Sequence, residues 1–302
     1  MTCLIWRQHR GQALWALLAL AAMCALMLAA GLSADHWLAG YGHWLAAMRA
    51  AGCPLPDAPS GTYHVRSAAV CHALMQRYPN GPQEAFATRY NFAVPAFEEG
   101  VPAALAVIGA LVGAPLVARE VEQRTQLVAW TQSTSRRRWY TTKVTALATG
   151  LAAVGLAAGL ANDRLQHPLT EGGLTSSRWI WFFSVDLALA GEILLAFALA
   201  VALGAWLRRT LPAVGAALVG FLVLFLATGW AVRTLTPTSR TAGPRFGVPR
   251  GGWSIQPSNS HSVPYHPAGQ YWPLQLTFLV VLVALAAVLL VTGWYATRTR
   301  AV

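Results

Sequence analysis

Six stretches of this chain are too long and too apolar to belong to a water-soluble fold: Ala13–Leu32, Val101–Ala118, Val144–Ala161, Val185–Leu207, Leu211–Val232 and Leu274–Trp294. A helix rises about 1.5 Å per residue, so about 18–20 apolar residues cross a hydrocarbon core of roughly 30 Å. Within the six runs only Asp186 and Glu192 carry a formal charge. Composition agrees: 56% of the residues are hydrophobic and 11% charged, against about 25% charged in soluble domains. The expected fold class is an all-α membrane protein with six transmembrane helices, organised as a single domain over residues 1–302. The first run follows a basic start, "WRQHR". Its length exceeds the roughly 7–15 residues of a signal-peptide core and no small-x-small site follows it, so it reads as a span.

Six spans place both termini on one side. If that side is inside, the inner segments 1–12, 119–143, 208–210 and 295–302 hold twelve of the 22 basic residues in about fifty positions. The other ten are spread over the outer loops. Basic density beside span ends sets orientation, giving an N-in/C-in layout. The net charge of +11 then follows from topology and from contact with anionic headgroups, and nucleic acid is not an expected partner.

Two large outer loops remain, 33–100 and 233–273. The second holds seven prolines, Pro237 to Pro273, and reads as an irregular cap or a partly flexible loop. The first contains "DHWLAGYGHWLAAMRAAG", whose Trp37, Leu38, Tyr41, Trp44, Leu45 and Met48 recur at helical spacing. That helix is expected on the outer membrane surface or against the bundle top. Cys53 and Cys71 share this loop, and an oxidising compartment permits a disulfide there. Closing it would add roughly 3 kcal/mol in the chain-entropy model. Two free thiols are the alternative, and the sequence favours neither.

Catalytic and metal signatures are not found. The chain has no G-x-x-x-x-G-K-[ST], no H-E-x-x-H and no paired C-x-x-C, and its histidines are scattered, so no enzyme and no metal site are expected. Glu192 is the one acid deep in a span and an intramembrane functional candidate by default. That it meets a Ser, Thr or Arg on a neighbouring helix, or sits protonated, is the plainer reading. Asp186, near the outer end of the same span, is expected to meet headgroups or loop water. "GALVG" (Gly109, Gly113) and "GLAAG" (Gly155, Gly159) are G-x-x-x-G patterns that allow close helix approach, within or between subunits. Trp294, Trp272, Tyr271, Trp181 and Trp179 mark span edges as an aromatic belt.

The densest inner charge lies in "VAREVEQRTQLVAWTQSTSRRRWYTTK", Val117–Lys143. The second span is expected to continue past Val117, with Glu120 and Arg124 spaced to pair at i,i+4. "TQSTS" offers hydroxyls to cap a following helix, and "RRRW" puts arginines at headgroup level with Trp139 at the interface. Physically the stretch reads either as a docking element or as a basic anchor that only sets topology.

The pattern R-E-x-E-x-x-T followed by L-x-A-W-T-Q-S-x-S-R-x-R-W closely resembles the loop between the second and third spans of type-2 ABC transporter permeases, actinobacterial ones in particular. "FALAVALGAWLRRTLPA" (197–213) and "YHPAGQYWPLQ" (265–275) resemble the same family. The likeness runs from about residue 70 to the end, and no motif covers 33–69. The chain departs from it at Arg124, where members carry Gly. The resemblance implies a subunit of the bacterial plasma membrane that binds no cofactor itself. It implies pairing with a separate ATP-binding subunit that holds ATP and Mg, and with a second permease copy, identical or not, in the lipid bilayer. It makes Arg119, Glu120, Glu122, Arg124, Thr125, Trp130, Ser135, Arg136 and Arg138 the coupling region, Arg208 and Arg209 a second cytoplasmic contact, and "TCLIWRQHRG" an N-terminal interfacial helix. The implied function is ATP-driven efflux. With nearly no charge in the spans, the expected cargo is apolar or amphipathic. Two rivals remain: a non-transporting sensor or resistance component whose outer loops bind a ligand, and a proton-coupled carrier using Glu192.

Overall fold

The computed structural model describes residues 2–53, 67–78, 82–122, 135–171, 179–235, 238–240, 253–254 and 264–299. In chain order these form α1 (Thr2–Ala51), α2 (Ala68–Gln76), α3 (Pro82–Tyr90), α4 (Ala93–Glu98), α5 (Gly100–Glu122), α6 (Arg136–Glu171) and α7 (Trp179–Ser184), then α8 (Asp186–Leu207) and α9 (Thr210–Leu235). Three short strands follow, β1 (Ser239–Arg240), β2 (Trp253–Ser254) and β3 (Pro264–His266), and then α10 (Tyr271–Thr299). Among the described residues six helices are long and apolar enough to cross a membrane: Ala21–Ala51, Ala96–Arg119, Arg137–Leu169, Asp186–Leu207, Thr210–Ala231 and Tyr271–Thr299. The expected single domain is laid out as two compact units, one comprising Met1–Phe97 with Ala161–Ser176, the other Glu98–Leu160 with Ser177–Val302.

In the first unit, α1 has 50 residues and no proline, so no helix breaker of that kind interrupts it between Thr2 and Ala51. The expected interfacial helix is not set off from the span. The aromatic "DHWLAGYGHW" segment likewise continues the same helix. At about 1.5 Å per residue α1 is roughly 75 Å long, more than twice a hydrocarbon core. It ends at Gly52, whose φ of 69° permits the left-handed turn. There Cys53 N–H bonds Met48 O at 2.9 Å and Gly52 N–H bonds Arg49 O at 3.1 Å, the paired bonds of a Schellman cap. The turn aims Cys53 at Cys71 on α2, and the two are joined by a disulfide. Trp44 and Met48 bury against that bridge, and Trp44 Nε1 donates to Leu74 O at 2.8 Å. Trp37 stacks in the same group, 4.9 Å from Phe86 and 5.7 Å from Tyr78 between ring centres. Thus the positions at helical spacing form the core of a small folded lobe made of the end of α1 with α2 and α3.

In the second unit α8 is central, with α5, α10 and α9 packed around it. Both G-x-x-x-G stripes face it. A Cβ at Gly109 would lie 2.9 Å from Ile193 O, and one at Gly113 2.5 Å from Phe197 O. Gly155 meets Ala190 in the same way, and Gly159 meets the Asp186 backbone. The stripes therefore serve contacts within the chain. These pairs also fix direction. Along α5 the contacts advance with α8 (Gly109 to Ile193, Gly113 to Phe197), whereas along α6 they run backwards (Gly155 to Ala190, Gly159 to Asp186). α10 runs with α8, since Gly191 meets Leu282 and Gly293 meets Ala202. Alternating direction is what successive crossings of a bilayer produce. In the loop after α9 the described residues include a three-stranded antiparallel sheet, order β1-β3-β2.

Candidate functional site at the basic end of the bundle

The shared directions gather one set of helix ends in the second unit: the last turn of α5, the first of α6, the α8–α9 turn and the last turn of α10. This end carries Arg119, Arg137, Arg138, Lys143, Arg208, Arg209 and Arg298. The opposite end, where α5, α8 and α10 begin, carries Glu98, Glu99 and Asp186.

Ser135, the last residue of "TQSTS", caps α6: its Oγ accepts the Arg138 N–H at 3.3 Å and its carbonyl accepts the Trp139 N–H at 3.0 Å. One turn on, Tyr140 donates its hydroxyl to Leu290 O at 2.8 Å and packs on Trp294 at 5.5 Å, fastening α6 to α10. Lys143 Nζ lies 4.7 Å from the centre of the Trp139 ring. Trp139 is buried, so it packs inside the bundle and does not serve as the expected interfacial anchor. Trp294 also turns inward to Tyr140.

The α8–α9 connection has only Arg208 and Arg209 between helices. Arg208 adopts φ 55° and its N–H bonds Gly204 O at 3.0 Å, closing α8. The Glu122 carboxylate, arriving from the end of α5, accepts the Thr210 N–H at 3.1 Å and the Thr210 hydroxyl at 3.0 Å. No spacing rule could find this bond, because its partners are 88 residues apart.

Of the residues expected to couple, Arg119, Glu122, Ser135 and Arg138 lie exposed on two neighbouring helix ends, and Arg208 and Arg209 are exposed in the adjoining turn. Arg124, Thr125 and Trp130 fall outside the described residues, as do the side chains of Glu120 and Arg136; the expected Glu120–Arg124 pair therefore does too. At the other end of the bundle, Asp186 does not meet headgroups or loop water. It is buried at 4% exposure, with φ 50°, and accepts a hydrogen bond from the Tyr271 hydroxyl. Gln275, one turn beyond Tyr271, donates to Phe182 O at 2.9 Å. His266 and Gln270 are bonded at 3.2 Å. Thus Tyr271 and Gln275 of "YHPAGQYWPLQ" fasten α10 to the α7–α8 break, a role the sequence did not reveal.

Glu192 sits two turns into α8 at 1% exposure, and neither carboxyl oxygen has a hydrogen-bond partner among the described residues. Among the described residues no Ser, Thr or Arg satisfies it. Its helical neighbours Ala188, Leu195 and Ala196 join Phe183, Phe221 and Phe278 in an apolar cluster. Among the described residues no three His, Cys, Asp or Glu side chains come together as metal ligands.

Six helices long and apolar enough to cross a membrane, with basic charge concentrated at one end of the second unit, define a multi-pass helical membrane protein. The model of the family described as ABC-2 membrane transporter related matches residues 42–233, and the chain belongs to that family. It is a permease component of the ABC transporter type. The match reaches back to residue 42, into the disulfide-closed lobe where no motif was legible, and stops before "YHPAGQYWPLQ". No curated protein and no solved structure matches the chain.

Proposed function

We propose that this chain is the membrane-spanning subunit of an ATP-binding-cassette exporter, with the basic end of its bundle in the cytoplasm. ATP and Mg bind a separate ATPase subunit, and the working unit holds two permease copies. The observation that carries this reading is the convergence of the α5 exit, the α6 entry and the α8–α9 turn on one basic end in a chain of this family. ATP-driven closure of the partner pushes these elements and tilts the bundle. Direction arises because the docked contacts differ between the two states. The spans carry nearly no charge, which favours an apolar or amphipathic cargo.

The test is co-purification in detergent with the ATP-binding subunit encoded beside this chain, comparing wild type with a scramble of residues 120–125. Loss of the complex on scrambling supports the reading. Unchanged association makes the stretch a topology anchor, and no association with wild type moves a ligand-binding sensor to the front. The folded α1–α3 lobe with its disulfide favours that second reading as the place where a ligand would bind. Sidedness is read by impermeant maleimide on cells: Phe92→Cys labels from outside and Arg209→Cys only after lysis.

A further inference from the structure

Glu122 stands where its own helix gives it no support. It is the last residue of α5, and a negative charge at a helix C-terminus faces the negative end of the macrodipole. Both oxygens instead reach the start of α9, where a carboxylate is favourable. The first turn of α9 has few free donors. Pro212 has no N–H, and Ala213 N–H is bonded to Arg209 O at 3.2 Å. That leaves Thr210 and Leu211 with no acceptor in their own helix, and Glu122 takes the Thr210 N–H together with its hydroxyl. Just upstream, the two-residue turn leaves α8 at Arg208, held by its own bond to Gly204 O. The ends of α5 and α8 and the start of α9 therefore meet at one point. This point joins the two sequence passages, R-E-x-E and L-R-R-T, that lie at separate places in the chain.

We propose that Glu122 is a positioning residue that ties the exit of α5 to the α8–α9 turn, so that the end of α5 with Arg119 and the Arg208–Arg209 turn move as one body. Glu122, although exposed, then spends its carboxylate within the chain and is not itself a contact to a partner. The source of the push rests on the exporter reading above; the tie does not. Its consequence is that force applied to either basic element moves α5 and α9 together.

The test measures the distance between spin labels at Leu111→Cys and Leu211→Cys, both exposed, in nanodiscs, with Cys3→Ser and Cys24→Ser and the disulfide left intact. Wild type and Glu122→Gln should give one narrow distribution, since an amide can accept the Thr210 N–H and donate to its hydroxyl. Glu122→Ala should broaden the distribution at least twofold. An unchanged width in Glu122→Ala, or equal broadening in Glu122→Gln, overturns the tie. In co-purification with the neighbouring ATPase, Glu122→Ala should retain the partner while losing most transport-coupled hydrolysis. Loss of the partner at unchanged width makes Glu122 a partner contact and also overturns the proposal. If wild type retains no ATPase, the exporter reading fails and the width comparison still decides the tie.

Discussion

The Tyr271 hydroxyl donates to the Asp186 carboxyl, linking the first residue of α10 to the first residue of α8. Asp186 is left-handed and follows the extended Val185, so α8 starts at a sharp break whose backbone lies against Gly159. A left-handed residue other than glycine costs about 1–3 kcal/mol and persists where its surroundings fix it.

Tyr271→Phe should therefore lower stability by about 1–3 kcal/mol, the cost of leaving a buried polar group unpaired. Asp186→Asn should cost less, because Asn tolerates the left-handed region and its carbonyl still accepts the bond. Thermal unfolding in detergent checks the order. Equal loss in the two variants would show that the hydroxyl contact does not hold the break.

The Cys53–Cys71 bridge closes a segment with a sequence separation of 18. Its removal should cost roughly 3 kcal/mol in the chain-entropy model. Under denaturing conditions without reductant, two of the four cysteines should alkylate, and all four after reduction, as counted by mass spectrometry. Cys53→Ser should lower the melting temperature of the oxidised protein and leave the reduced one unchanged.

The close approach of helices at Gly113 and Gly155 predicts that leucine at either position breaks the fold. Overpacking costs about 1–3 kcal/mol where neighbours can move, and here the nearest atoms are the Phe197 carbonyl and the Ala190 Cα. Gly150 and Gly215 face open space, so alanine there should be neutral. Monodispersity on size exclusion separates the two classes.

Glu192 gives a prediction of opposite sign. Burying a polar group with no partner costs roughly 1–3 kcal/mol, so Glu192→Met should raise the melting temperature. In an ATP-driven exporter the variant keeps transport, whereas a proton-coupled carrier loses it completely. Cargo uptake into inverted vesicles with and without ATP decides between them.

Six spans, the Ser135 cap and the basic character of one end were legible in the chain alone. Each is a local property: an apolar run long enough to cross a bilayer, a hydroxyl just before a helix, a density of arginine beside a span. Family membership was legible for the same reason, because its motifs are short and contiguous. The length of α1 was misjudged because an apolar run marks where lipid begins and ends, while a proline-free helix continues regardless.

What the tertiary structure alone decided is which side chains meet. Glu122 was legible only as part of a coupling region; that its carboxylate accepts from the first turn of α9 appears in the packing alone. Asp186 looked like a headgroup contact until α10 brought Tyr271 across. Trp139 looked like an interfacial anchor until it was found buried in the bundle. Each of these depends on partners far apart in sequence or on helix rotation about its axis, which the packing of small residues at Gly109, Gly113, Gly155 and Gly159 against α8 fixes. Composition carries the free energy of entering the membrane, whereas polar pairing within it is set by how the helices turn toward one another.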